Sequence, residues 1–187
     1  LIIFSHGFKG FKDWGCFNLI SRIFAENGFT FLKFNFSHNG TTITDPLNFN
    51  DLEAFGNNNF SIELNDLSLV LGWSVQNLNI SDITLLGHSR GGGVSMLKSA
   101  EDKRVKRVIS WSSPSSFLNR ASSDRVEIWK QKGVSFVYNG RTKQNMPLYI
   151  QLYNDCEQNK ERLDIQNSVS NLTISQLVIH GDADPSV

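Results

Sequence analysis

The chain has 187 residues, 40% of them apolar and 19% charged, with a formal net charge of zero, values that suit one ordinary globular domain long enough to bury a core. The neutral balance argues against a nucleic-acid partner, because phosphate binding leaves a footprint of clustered Lys and Arg; the densest basic stretch, Lys103 to Arg107, is expected to be a solvated strand entrance. Two cysteines, Cys16 and Cys156, are too few for a disulfide framework and lack metal-ligand spacing, so each is expected to be a buried or half-buried small side chain, with a single bridge between them left open.

Taken in chain order, five β-branched or aromatic runs alternate with helical stretches, the pattern of βα units around a parallel sheet. Leu1 to Phe4 is the first strand, and a helix over Asn18 to Asn27 follows, closed by Gly28 as its C′ residue. Phe29 to Phe36 is the second strand. The stretch Thr41 to Phe60, rich in Asn, Asp and Gly, is expected to be a long functional or mobile loop. Ile62, Leu64, Leu67, Leu71 and Val75 then recur at near-helical spacing from Ser61 to Gln76, behind only a weak N-terminal signal at Ser61. Ile83 to Leu86 is continuously apolar, as a strand covered on both faces must be. A helix over Gly91 to Ala100 and a strand over Val105 to Trp111 come next, and Gln176 to His180 is the last strand.

Between those last two strands, residues 113–173 read as an insertion and not as a second domain. They hold a helix near Asp124 to Lys132, a hairpin signal at Asn139-Gly140, and a helix carrying Leu152, Tyr153 and Cys156. The expected fold class is thus α/β: a mostly parallel sheet with helices on both faces, in a single domain over 1–187. No apolar run approaches the roughly 18 residues of a membrane span. The chain opens inside a strand at Leu1 and stops at Val187 directly after a motif, so both ends are expected to be cut. A cytoplasmic location is the default expectation for such a chain.

Gly87-His88-Ser89-Arg90-Gly91 fits G-x-S-x-G between an apolar strand and the small-residue helix start Gly91-Gly92-Gly93-Val94. The chemistry accounts for the spacing. A serine on a strained strand-to-helix turn is lifted above the sheet edge, and side chains two residues away on either side would collide, so Gly87 and Gly91 are favoured. The helix N-terminus also turns free N–H groups toward the hydroxyl. A phosphate-binding reading fails, since neither glycine-rich nucleotide spacing is present and no Lys follows the glycines. The plainer alternative is a serine in a turn that only joins strand to helix.

Two further motifs carry a resemblance. Ser5-His6-Gly7-Phe8 follows the first strand, and Ile179-His180-Gly181-Asp182-Ala183-Asp184-Pro185-Ser186-Val187 follows the last. With the elbow between them, the chain resembles the α/β-hydrolase superfamily. Gly-His-Ser-Arg-Gly-Gly with Phe8-Lys9-Gly10-Phe11-Lys12-Asp13-Trp14 looks like its dienelactone-hydrolase and prolyl-oligopeptidase-like members. The resemblance implies Ser89 as nucleophile, the backbone N–H groups of Phe8 and Arg90 as oxyanion hole, His6 and Gly7 as structural support, and Asp184 as the triad acid, with Asp182 the second choice. In this fold the order is serine, acid, histidine, so the resemblance implies that the catalytic histidine lies beyond Val187. Of the four histidines present, His38 is the one whose expected position at the loop-bearing sheet edge could face the site; His88 neighbours the nucleophile and should point away.

The resemblance further implies an acyl-enzyme on Ser89, a small-molecule acyl substrate and no cofactor or metal, with an ester preferred to a peptide. A chain without its base should hydrolyse poorly, and a non-catalytic relative that binds a small ligand or a protein stays open. The insertion is expected as a cap. Trp111, Phe117, Tyr149, Tyr153, Phe11 and Trp14 are candidate pocket walls or, equally open, core residues. Arg90 either receives a substrate carboxylate bidentately or packs and pairs beneath the cap.

Overall fold

Alternation along the strands decides which face each side chain buries. The computed structural model describes residues 1–118 and 122–184. Its elements run β1 (Ile2–Ser5), α1 (Phe17–Glu26), β2 (Phe31–Lys33), α2 (Leu52–Gly56), α3 (Phe60–Leu78), β3 (Ile83–His88), α4 (Arg90–Glu101) and β4 (Val105–Trp111). They continue as α5 (Ser123–Lys132), β5 (Val134–Asn139), β6 (Gln144–Tyr149), α6 (Gln151–Gln158), α7 (Ile165–Ser170) and β7 (Ser175–Ile179). The order β2-β1-β3-β4-β7 makes one parallel sheet, and β5 and β6 pair antiparallel apart from it.

Ile3 of β1 lies opposite Leu85 of β3, and Leu85 opposite Val108 of β4. These three share one core with Leu64, Leu67 and Leu71 of α3 and Val94 and Leu97 of α4. On the other face Ile2, Phe4 and Leu86 pack against Phe17 of α1. Both faces are therefore covered, as the apolar run of β3 required, and each such side chain contributes about 1.5–3 kcal/mol by leaving water. β7 forms the sheet edge, where Leu177, Val178 and Ile179 stay exposed. No helix among the described residues is long and apolar enough to cross a membrane.

Several expectations needed correction. The 41–60 stretch is not a plain loop: Asp51 accepts the Ala54 N–H at 2.9 Å and starts α2. Phe49 and Phe55 are buried there with Phe11 and Met146, so aromatic burial overrides a composition that reads as loop. The cap of α3 is Asn59, which accepts the Ile62 N–H at 2.8 Å, whereas Ser61 donates to Asp155 of α6. In the hairpin Asn139 is itself paired, opposite Gln144, so the connection is residues 140–143 and not a two-residue turn. α7, capped by Asp164, had no expected counterpart. Cys16 is exposed and Cys156 half-buried, and both are free thiols. In the basic stretch Arg104 pairs with Asp102 and Arg107 with Asp82. Within 113–173, residues 119–121 lie outside the described residues.

Candidate active site

The turn from β3 into α4 sets Ser89 at φ 52° and ψ −126°, a state that costs a residue with a side chain about 1–3 kcal/mol. Its surroundings hold it there. A Cβ on Gly87 would come within 2.1 Å of the Gly91 carbonyl oxygen, and one on Gly91 within 2.3 Å of the Ser5 oxygen. The Ser89 N–H donates to the Trp111 carbonyl at 2.8 Å, while the Ser89 carbonyl accepts from Gly92 at 2.8 Å. Arg90 opens the helix, so its N–H precedes the intrahelical ladder.

The loop after β1 lies against this elbow. A Cβ on Gly7 would meet the Ser89 Cβ at 3.0 Å, which leaves room only for glycine or a shift of the serine. A turn closed by the Gly10 N–H to the Gly7 carbonyl (3.1 Å), with Lys9 at φ 54°, carries Phe8 past the site. His6 holds the loop from behind. Its Nε2 accepts the Phe36 N–H at 3.3 Å, so its Nδ1 donates to the Gly7 carbonyl at 2.9 Å. Burial lowers its pKa to about 4 against the pull of the Gly7 hydrogen bond, and the ring is neutral at pH 7.

Beyond β7, Asp184 donates its N–H to the Gly181 carbonyl and stands 3.7 Å from His180 Nε2. Its charge also reaches His88, opposing the burial that lowers that histidine's pKa. His88 packs its ring on Trp111 at 4.7 Å and Phe17 at 5.4 Å. Asp182 is exposed. His38 bonds its neighbour Ser37 and does not line the cavity at Ser89. Among the described residues, no histidine hydrogen-bonds the Ser89 hydroxyl. The rest of the acid motif, Pro185, Ser186 and Val187, lies outside the described residues.

Ser89 opens on a cavity of about 1040 Å³ bounded by Phe8, Phe60, Phe117, α5 and β5. Of the six aromatic candidates, Phe117 and Tyr153 line it. Trp111 packs on the far side with His88, Tyr149 donates to Glu53, and Phe11 belongs to the α2 core. Trp14 is exposed beside Phe17. The walls that sequence missed are Phe60 and the α5 and β5 side chains Trp129, Phe136 and Tyr138; Phe60 offered a signal, as the first residue of a helix with an Asn before it.

Arg90 is paired, with Nε 3.0 Å from the buried Glu63 carboxylate. Burial raises the Glu63 pKa, and Arg90 and the Asn58 amide pull it back. Arg90 Nη2 is buried with no hydrogen-bond partner among the described residues; such a donor costs about 1–3 kcal/mol. No group of three or more metal-ligating side chains converges among the described residues.

The sequence matches the family model described as alpha/beta hydrolase fold over residues 1–185. Among solved structures, Est1E from Butyrivibrio proteoclasticus with ferulic acid bound is 19% identical, with a TM-score of 0.75, over 100% of this chain and 70% of that one. Mouse alpha/beta hydrolase domain-containing protein 10 is 13% identical, with a TM-score of 0.66, over 96% and 80%. The monoacylglycerol lipase of Paleococcus ferrophilus is 12% identical, with a TM-score of 0.62, over 96% and 84%. No curated protein matches the sequence. At these identities the likeness is one of fold.

Proposed function

This chain belongs to the α/β-hydrolase family, and we propose that on this fold it is a serine esterase that works through an acyl-enzyme on Ser89. The observation that carries the reading is Ser89 itself, held at positive φ between Gly87 and Gly91 where the elbow opens on the cavity. In the first step the Ser89 oxygen attacks the ester carbonyl carbon and its proton passes to a histidine. The carbonyl oxygen becomes an oxyanion facing the N–H groups of Phe8 and Arg90, each worth on the order of 10²–10³ in rate in such sites. The alcohol then leaves with the proton, and water attacks the acyl-enzyme by the reverse route and restores Ser89. His6 and Gly7 support the loop, and Asp184 orients the base.

The base is a histidine outside 1–187. The order serine, acid, histidine in this fold supports a position after Asp184; His6 has both ring nitrogens engaged, and His38, His88 and His180 do not line the cavity. Residues 113–173 act as a cap within one domain. Esterase and lipase structures among the neighbours favour an ester over a peptide.

Covalent labelling tests this. The protein expressed from its own gene should take one fluorophosphonate at Ser89, located by peptide mass, and Ser89→Ala should take none. A folded protein that takes no label removes the hydrolase reading in favour of a relative that only binds a ligand.

A further inference from the structure

The guanidinium of Arg90 is tied at one end only. Nε meets Glu63 at 3.0 Å, and Asn58 holds that carboxylate in turn at 2.7 Å. Cζ lies 4.2 Å from the centroid of Phe60 and 5.4 Å from that of Phe8. Phe60 stacks on Phe117 at 3.9 Å and 14°. The cation is thus fixed on an aromatic shelf, with little rotamer freedom left to lose when a ligand arrives. Arg90 is 9% exposed and lines the same cavity as Ser89, Phe8 and Phe60; Nη2 is buried without a partner among the described residues, so the Nη1 side of the fork is the one a ligand can meet.

We propose that Arg90 is a specificity residue whose Nη edge hydrogen-bonds a neutral oxygen, a ketone, ether or hydroxyl, on the acyl group of the ester bound at Ser89. This rests on the serine-esterase reading and adds the substrate class to it. Charge selects the neutral acceptor. Glu63 already balances Arg90, so a substrate carboxylate on the fork would face a second carboxylate across one guanidinium after losing its water. The remaining charges on the cavity wall give it no excess attraction, because Arg125 and Lys130 are matched by Glu127 and Glu157. A neutral oxygen can accept from the Nη1 side of the guanidinium edge, the side not closed off from the cavity, and adds no charge.

The experiment is binding to the Ser89→Ala protein, which holds esters without turning them over. Titration followed by NMR compares methyl 4-oxopentanoate with methyl pentanoate, which lacks the ketone, and with monomethyl succinate, which replaces it by a carboxylate. The oxo ester should bind about tenfold more tightly than methyl pentanoate, as one hydrogen bond to a charged donor implies. It should also shift the Arg90 guanidinium resonances, where methyl pentanoate does not. Adding Glu63→Leu and Arg90→Met together removes both charges without stranding either, and should make the two neutral esters equal. The guanidinium shift needs no Arg90 variant, so the proposal stays testable if that protein does not fold. Equal binding of the neutral esters, a preference that survives the double change, or tightest binding by monomethyl succinate overturns it. Labelling at Ser89 without the preference leaves the esterase and removes the anchor; the preference without labelling leaves the anchor as a ligand site and removes the esterase.

Discussion

The two walls of one cavity are built in opposite ways. On the Ser89 side, α4 buries every residue from Arg90 to Ser99, and a Cβ on Gly91 or Gly92 would run into backbone of β1 or β3. On the far side, α5 buries no residue and β5 buries only Asn139. Besides the β5–β6 ladder and the contact of Val137 with the Phe49 and Phe55 cluster, that wall has polar ties: Trp129 Nε1 donates to the Leu148 carbonyl at 2.8 Å, and Lys9 Nζ to the Tyr138 carbonyl at 3.0 Å. The core therefore fixes the position of the Ser89 hydroxyl. Beyond those of Arg90, Phe8, Phe60 and Phe117, contacts to whatever fills the cavity come from a surface that can change with little effect on folding, which is how one fold serves many substrates.

Gly87→Ala is the harshest way to break the fixed wall. The new Cβ would meet the Gly91 oxygen at 2.1 Å and the Gly92 Cα at 2.6 Å, all backbone with no flexible side chain to yield. The expected loss is about 4 kcal/mol or more, a large share of the 5–15 kcal/mol that holds a domain together. Urea unfolding measures it. A variant within about 1 kcal/mol of the parent would mean that β3 and α4 can slide apart, and the contrast between the walls would fall.

The fixed wall was also the legible one. Apolar runs gave β1 and β3 nearly to the residue, because a strand covered on both faces has few polar positions to blur its ends; β4, which carries the exposed Lys106 and Arg107, was marked by Val105, Val108, Ile109 and Trp111. The elbow was legible because Gly87 and Gly91 stand where only glycine fits. Of the loose wall the elements were legible, since α5 and the β5–β6 hairpin lie where the sequence set them, but which of their side chains face the cavity was not. Phe136 and Tyr138 are exposed, and Phe117 is buried but lines the cavity, and periodicity cannot separate an aromatic that faces a cavity from one that faces a core. The Glu63–Arg90 pair was hidden for a different reason. It joins residues 27 apart in the chain, and no local rule predicts which buried carboxylate a guanidinium will meet. The 41–60 stretch was misread because Asn and Asp serve equally as loop formers and as caps, and Asp51 and Asn59 are caps.

His6 gives a milder test of the same wall, through pH. Its folded pKa of about 4 lies below the 6.5 of an unfolded histidine. Below pH 6.5 the unfolded chain therefore takes up a proton that the folded chain refuses. Stability is fully present above pH 6.5 and is lost as pH falls toward 4, by about 3 kcal/mol in all. His88, lowered in the same direction by burial, adds to the slope. Urea midpoints at pH 7, 6, 5 and 4 should fall steadily, and His6→Gln should flatten most of the fall. An unchanged midpoint between pH 6.5 and 4 would show the ring taking its proton in place, with the loop from Gly7 to Gly10 free to move.

The smallest expected effect on folding belongs to the loose wall. Phe136 is 62% exposed although it lines the cavity, so Phe136→Ala removes little that is buried and should change stability by less than about 0.5 kcal/mol. Its effect should fall on the ligand instead. Esters with a bulky acyl group should bind or react several-fold more weakly, because an aromatic contact made only with the ligand is lost, while esters of acetate, too short to reach β5, should be unaffected. Comparing fluorophosphonates with short and long alkyl chains at Ser89 reads the same split. A variant that loses stability by 2 kcal/mol, or that slows short and long probes alike, would mean that β5 supports the elbow after all. The two walls would then be a single unit, and specificity could not be changed on one without disturbing the other.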